Sequence, residues 1–142
     1  MKLVQHLLDA KGRGVISIVP EATVRDAIKL MAEKGIGCLV VMTGDELNGI
    51  LSERDYARKV ILKGRASDTT QVADIMTAKV TTTSPEATVN SCMQMMSDVK
   101  CRHLPVLEND QVVAMISIGD IVQAIIDDQQ EEIHQLEQYI SG

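Results

Sequence analysis

The stretch Pro20-Glu21-Ala22-Thr23-Val24 returns as Pro85-Glu86-Ala87-Thr88-Val89, 65 positions further on. Working outward, the same offset pairs Met31 with Met96, Leu39 with Leu104, Val41 with Val106, Ser52 with Ser117, Asp55 with Asp120 and Ile61 with Ile126. No gap is needed. A long period seen twice points to two packed copies of one small domain, since an open solenoid needs about three or more repeats.

Within the first copy, Val15 to Val19 is rich in β-branched residues and reads as a strand that Pro20 stops. Thr23 is an N-cap with Asp26 three residues on. Val24, Ala27, Ile28, Met31 and Ala32 form a helical stripe, and Gly35 ends it. Cys38 to Met42 is a buried strand, Leu47 to Leu51 its returning partner, and a helix runs from Ser52 to about Leu62. The second copy repeats the plan: strand Val80 to Thr83, helix Thr88 to Val99, strands His103 to Leu107 and Gln111 to Ile116, then a helix from about Ser117.

Each repeat is therefore β-α-β-β-α. The chain divides into an N-terminal helix and link (1–14), repeat 1 (15–64), a linker with one helical turn at Val72 to Met76 (65–78), repeat 2 (79–128) and a helical tail (129–142). Leu3, Val4, Leu7 and Leu8 give the N-terminal helix an apolar face that must dock on something. On the tail, Ile133, Leu136 and Ile140 form a narrow apolar seam, suited either to folding back on the body or to a dimer contact.

The 142 residues suffice for one ordinary domain or two very small ones. Each repeat alone is near the lower limit for independent folding, so the two are expected to fold together. With no Phe or Trp and two Tyr, the core must be aliphatic, with eight Met filling gaps. The material for aromatic base stacking is missing, and a net charge of −6 argues against nucleic acid or an anionic membrane as partner. Three Cys without a Cys-x-x-Cys speak against a disulfide framework and for a reducing, cytoplasmic setting. No run approaches the roughly 18 apolar residues of a membrane span. Cys101-Arg102-His103 lacks the partners for a metal site, and no nucleophile–base pair is visible for catalysis.

The residues that carry chemistry stand where a strand runs into a helix: Ser52-x-x-Asp55 and Ser117-x-x-Asp120. Unpaired N–H groups at a helix start attract phosphate. A carboxylate one turn on can accept two bonds from a ribose diol. The same pattern also serves plain N-capping.

The tandem copies, with Gly49-Ile50-Leu51-Ser52-Glu53-Arg54-Asp55 in the first and Arg102-His103-Leu104-Pro105-Val106 and Met115-Ile116-Ser117-Ile118-Gly119-Asp120 in the second, resemble a pair of CBS domains from about Val15 to Ile126. The resemblance implies an α/β (α+β) fold whose two units pack about a pseudo-twofold axis, leaving two clefts for adenosine-containing ligands. One cleft would take Ser17 and Ala22 with Arg102, His103, Ser117 and Asp120. The other would take Thr82 and Ala87 with Gly37, Cys38, Ser52, Arg54 and Asp55. The adenine would lie between aliphatic walls such as Ile18 and Ile36.

It further implies a non-enzymatic, cytoplasmic nucleotide sensor, commonly a homodimer, acting on a protein partner the residues do not name. Its ligand would be AMP, ADP, ATP or NAD, with S-adenosylmethionine further down the order. Two other readings are carried: a ligand-independent dimerisation or docking module, and a nucleotide-hydrolysing enzyme.

Overall fold

The computed structural model describes residues 2–141, so the outermost position at each end lies outside it. The chain forms two compact units. Val15–Val80 makes one by itself, and the other joins everything from Thr81 on with the stretch up to Gly14.

The Val15–Val80 unit contains β1 (Ser17–Ile18), α2 (Val24–Lys34), β2 (Cys38–Thr43), β3 (Glu46–Ser52), α3 (Glu53–Tyr56) and α4 (Val72–Ile75); α1 (Val4–Lys11) belongs to the other unit. Strand β1 lies parallel to β2, and β2 antiparallel to β3. The two-residue loop of this hairpin opens on Gly44 at φ 59, the backbone a type II′ turn requires. Helix α2 starts at Thr23, whose hydroxyl accepts the Asp26 N–H at 3.2 Å, and closes on left-handed Gly35. It buries Val24, Ala27 and Met31 against Leu39, Val41, Leu51, Val60, Val72 and Ile75. Each Val, Leu, Ile or Met among them contributes about 1.5–3 kcal/mol when fully buried. The helix expected from Ser52 to Leu62 is regular only to Tyr56; Ala57–Ile61 widens into π-helical geometry.

The other unit holds α1, α5 (Val89–Val99), β4 (His103–Glu108), β5 (Gln111–Ser117) and α6 (Ile118–Ser141). Strands β4 and β5 pair antiparallel through Asn109 and Asp110, both at positive φ as a type I′ turn demands. The hairpins bulge at matching places, Val41/Met42 and Val106/Leu107.

The strand expected at Val80 to Thr83 is absent. Only Thr83 pairs, taking the Pro105 carbonyl at 3.0 Å and giving its own to Leu107 N–H at 2.9 Å. The physical cause lies in β4. In the first repeat Val40 N–H donates to Ile16 O at 3.3 Å. Pro105 occupies the corresponding position, and proline has no N–H to extend the ladder towards Thr81. The last helix also runs through Asp127 and Asp128 unbroken, so the tail continues the helix of the second repeat.

The N-terminal helix finds its dock inside the second unit. Val4 N–H donates to Ala87 O (2.8 Å), Gln5 N–H to Pro85 O (2.9 Å), and Val89 N–H to Lys2 O (3.0 Å). Val4, Leu7 and Leu8 enter a core with Val89, Cys92, Met96, Leu104, Val106, Ala114, Ile116, Ile121 and Ala124. In the first unit, α4 makes the matching bonds: Val72 N–H to Ala22 O (2.8 Å), Ala73 N–H to Pro20 O (2.9 Å) and Val24 N–H to Thr70 O (2.8 Å).

Candidate functional site

In each unit the strand pairing draws one group of candidate residues together. Cys38 pairs with Ser52 across β2 and β3, and Gly37 O accepts the Glu53 N–H at 3.0 Å. This gathers Gly37, Cys38 and Ser52 at the start of α3, which carries Arg54 and Asp55. In the other unit His103 pairs with Ser117, and Arg102 O accepts the Ile118 N–H at 2.9 Å, gathering both at the start of α6 with Asp120. Ser17, Ile18, Ala22 and Ile36 belong to the unit of Asp55, and Thr82 and Ala87 to that of Asp120. Ala22 and Ala87 serve as the carbonyl docks for α4 and α1.

Both corners are N-caps, but they differ in how far the carboxylate is used. Asp55 Oδ2 accepts the Ser52 N–H at 3.0 Å and the Ser52 hydroxyl at 3.1 Å, and that hydroxyl accepts the Asp55 N–H at 3.1 Å. Asp55 Oδ1 takes the Thr77 hydroxyl at 3.2 Å and the Lys59 ammonium at 3.1 Å. Lys59 also donates to Ile75 O at 3.0 Å. Both oxygens are therefore bonded, and the side chain is 12% exposed.

At the second corner Asp120 Oδ2 accepts the Ser117 N–H at 2.8 Å and the Lys11 ammonium at 2.6 Å, while the Asp120 N–H donates to Ser117 Oγ at 3.2 Å. Among the described residues every bond to this carboxylate falls on Oδ2. The side chain is 27% exposed. Burial alone would raise the Asp120 pKa. The Lys11 and Ser117 hydrogen bonds, with the Lys11 charge, outweigh it and hold the group below the ordinary carboxylate value.

The charges around the corners differ too. At the first, a side chain on Gly37 would meet the Glu53 carboxylate at 3.6 Å, so an acid stands over that residue. At the second, the same two positions hold exposed Arg102 and apolar Ile118. Arg54, replaced by Gly119 in the second copy, is exposed on α3.

Lys11, Lys59 and Thr77 are site residues that the motifs did not point to. The i,i+4 spacing of Asp55 and Lys59 was a readable signal; Lys11 lies 109 positions from its partner. Among the described residues no cysteine is joined in a disulfide. Burial pushes the Cys92 pKa up against the hydrogen bonds from Thr83 and Ser91, which disfavours a reactive thiolate. Among the described residues no three His, Cys, Asp or Glu gather as a metal site, and no helix is long and apolar enough to cross a membrane.

A family model described as "CBS domain" matches residues 11–62 and 72–127. The CBS domain-containing protein CBSX3, mitochondrial, of Arabidopsis thaliana is 45% identical over 125 residues. That match covers 84% of this chain and 61% of the plant protein, so the chain spans less than two thirds of that relative. A solved protein with CBS domains from Burkholderia ambifaria is 47% identical, with a TM-score of 0.87 over 90% of this chain and 96% of that one. The CBS domain pair of protein MJ0100, solved with 5′-methylthioadenosine and S-adenosyl-L-methionine, matches with a TM-score of 0.79 over 90% and 98%. At 21% identity it carries the fold alone.

Proposed function

The chain belongs to the CBS domain family, with one copy in each half, and on that premise we propose that it is a non-enzymatic regulatory module for an adenosine-containing nucleotide, AMP, ADP, ATP or NAD. The observation that carries this reading is the Asp120 corner. A carboxylate oxygen stands unbonded among the described residues at the start of a 24-residue helix, with Arg102 and His103 drawn to the same place. Asp120 Oδ1 would accept a ribose hydroxyl, and Ser117 would contact ribose or phosphate. Arg102 and His103 would balance phosphate charge, for which a planar guanidinium is suited. Ser52, Arg54 and Asp55, with Gly37 and Cys38, would form the counterpart, weakened by the Glu53 carboxylate. Ser17, Ile18, Ala22, Ile36, Thr82 and Ala87 complete the proposed lining. Adenosine compounds are what the MJ0100 pair holds in its solved complex.

The same reading takes the module as a cytoplasmic homodimer that passes its ligand state to a partner protein. Coupling of that kind is limited by the ligand's preference for one conformation over the other.

Calorimetry with AMP, ATP, NAD and S-adenosylmethionine tests the proposal. Binding of at least one is expected, weakened about 10- to 150-fold by Asp120→Ala, as for loss of a charge-assisted bond of about 1.5–3 kcal/mol. Bound nucleotide should be recovered unchanged after incubation. Heat and thermal shift absent with all four would overturn it in favour of a ligand-independent interaction module. The saturated Asp55 corner favours that second reading, because capping and ion pairing use every oxygen there.

A further inference from the structure

Two exposed surfaces are opposite in charge and alike in apolar character. The first is on α6. Val122, Ile126, Ile133, Leu136 and Ile140 recur at alternating spacings of three and four once Gln129 is counted in the row. All five apolar side chains are exposed, and Ile133, Leu136 and Ile140 lie between 55% and 83% open to solvent. Glu132 and Glu137 flank this seam. The chain has no Lys or Arg after Arg102, so the helix carries acids alone, apart from His134.

The second surface lies at the end of the π-helical turn after α3. Ile61 and Leu62 are 59% and 77% exposed among Arg58, Lys63 and Arg65. None of these three cations enters an ion pair among the described residues. Lys59, Lys63 and Arg65, with Asp74 and Ile75, line a cavity of about 250 Å³ beside it. Five of the fourteen Lys and Arg fall between Arg54 and Arg65.

We propose that the acidic apolar seam of α6 in one copy docks on the basic apolar patch around Ile61 and Leu62 of a second copy. The inference rests on the homodimer reading above and names its surfaces. Charge complementarity selects this occupant. Parallel pairing of two α6 seams would set Glu132 against Glu137 of the other copy, with no cation on either helix to offset it. The patch supplies both the apolar side chains and the opposite charge. Reciprocal docking would use each surface once per copy, as a twofold dimer requires.

Two charge-reversed chains test it: Lys63→Glu with Arg65→Glu, and Glu132→Lys with Glu137→Lys. All four positions are exposed, so far-UV circular dichroism should match the parent. By sedimentation velocity the parent is expected to dimerise, about tenfold or more weakly at high salt. Each reversed chain alone is expected to be monomeric, because its own patch and seam then share one sign. An equimolar mixture of the two should restore a dimer, since both contacts regain opposite charges. A parent that is monomeric at all concentrations overturns the homodimer reading itself. A parent dimer that ignores both reversals, or a mixture that stays monomeric, leaves self-association standing and overturns these surfaces. A chain with Glu132→Lys alone, Glu137 being kept, that associates more tightly than the parent assigns the seam to its own copy and overturns the proposal likewise.

Discussion

Asp55 and Asp120 stand at the same position of the two repeats and are held differently. Asp55 has both oxygens bonded, by Ser52, Thr77 and its helical neighbour Lys59. Asp120 has one oxygen bonded, by Ser117 and by a lysine from the N-terminal helix. Equivalent residues in a repeat therefore need not share a task. A carboxylate whose bonds are all internal contributes mainly to folding, whereas one with an oxygen to spare can serve a ligand as well.

The sharpest way to break this contrast is to truncate both. Asp55→Ala should lower stability by about 2–3 kcal/mol in urea unfolding, since it removes a cap and leaves donors from Ser52, Thr77 and Lys59 unmet. Asp120→Ala should cost about 1 kcal/mol and bear mainly on nucleotide affinity. Equal losses at the two sites would erase the distinction.

A second contrast lies at Gly49 and Ala114. A Cβ on Gly49 would come within 2.6 Å of the Thr77 carbonyl, which pairs with Ile50. Gly49→Ala should destabilise by about 1–3 kcal/mol. Ala114→Gly, in the strand that already accepts a methyl group, should cost about 1 kcal/mol or less.

Lys11→Met probes the ion pair that only the second corner draws from the N-terminal helix. Asp120 has a depressed folded-state pKa, so its contribution is complete above the unfolded value, near pH 4, and fades as pH falls through the lower folded value. The variant should lose about 0.5–1 kcal/mol at pH 7, the range for a partly exposed pair. That gap should shrink in acid, where Asp120 takes up its proton in both proteins. A pH-independent gap in denaturation midpoint would dissociate Lys11 from Asp120.

The smallest effect is a gain. Helix α2 ends on Gly35 at φ 65, and α5 ends on Lys100 at φ 58. A side chain is strained there, so Lys100→Gly should raise stability by about 0.5–1 kcal/mol. No rise in melting temperature would mean that Lys100 is compensated elsewhere.

Much of this was legible beforehand. The offset between Pro20 and Pro85 located both hairpins, both amphipathic helices and both Ser–Asp corners. Local rules of capping and turn chemistry suffice for those. Less legible was a second internal likeness at a different offset: Val4, Leu7, Leu8, Ala10 and Lys11 against Val72, Ile75, Met76, Ala78 and Lys79, 68 positions apart. The three-residue difference hides it from a search at one period, although the two segments make the same backbone bonds. The lost strand at Val80 to Thr83 was unreadable from its own residues, because its cause is Pro105 in the neighbouring strand. Lys11 was invisible for a related reason, since its partner is set by where α1 docks.

That docking bears on how the chain comes off the ribosome. The unit Val15–Val80 is contiguous and can complete its core once its last residues emerge. Helix α1 is synthesised before that unit, yet Val4, Leu7 and Leu8 find no cover until β4, β5 and the start of α6 exist, roughly a hundred residues later. Through most of synthesis the nascent chain thus carries an uncovered apolar helix, open to a chaperone until the second core forms.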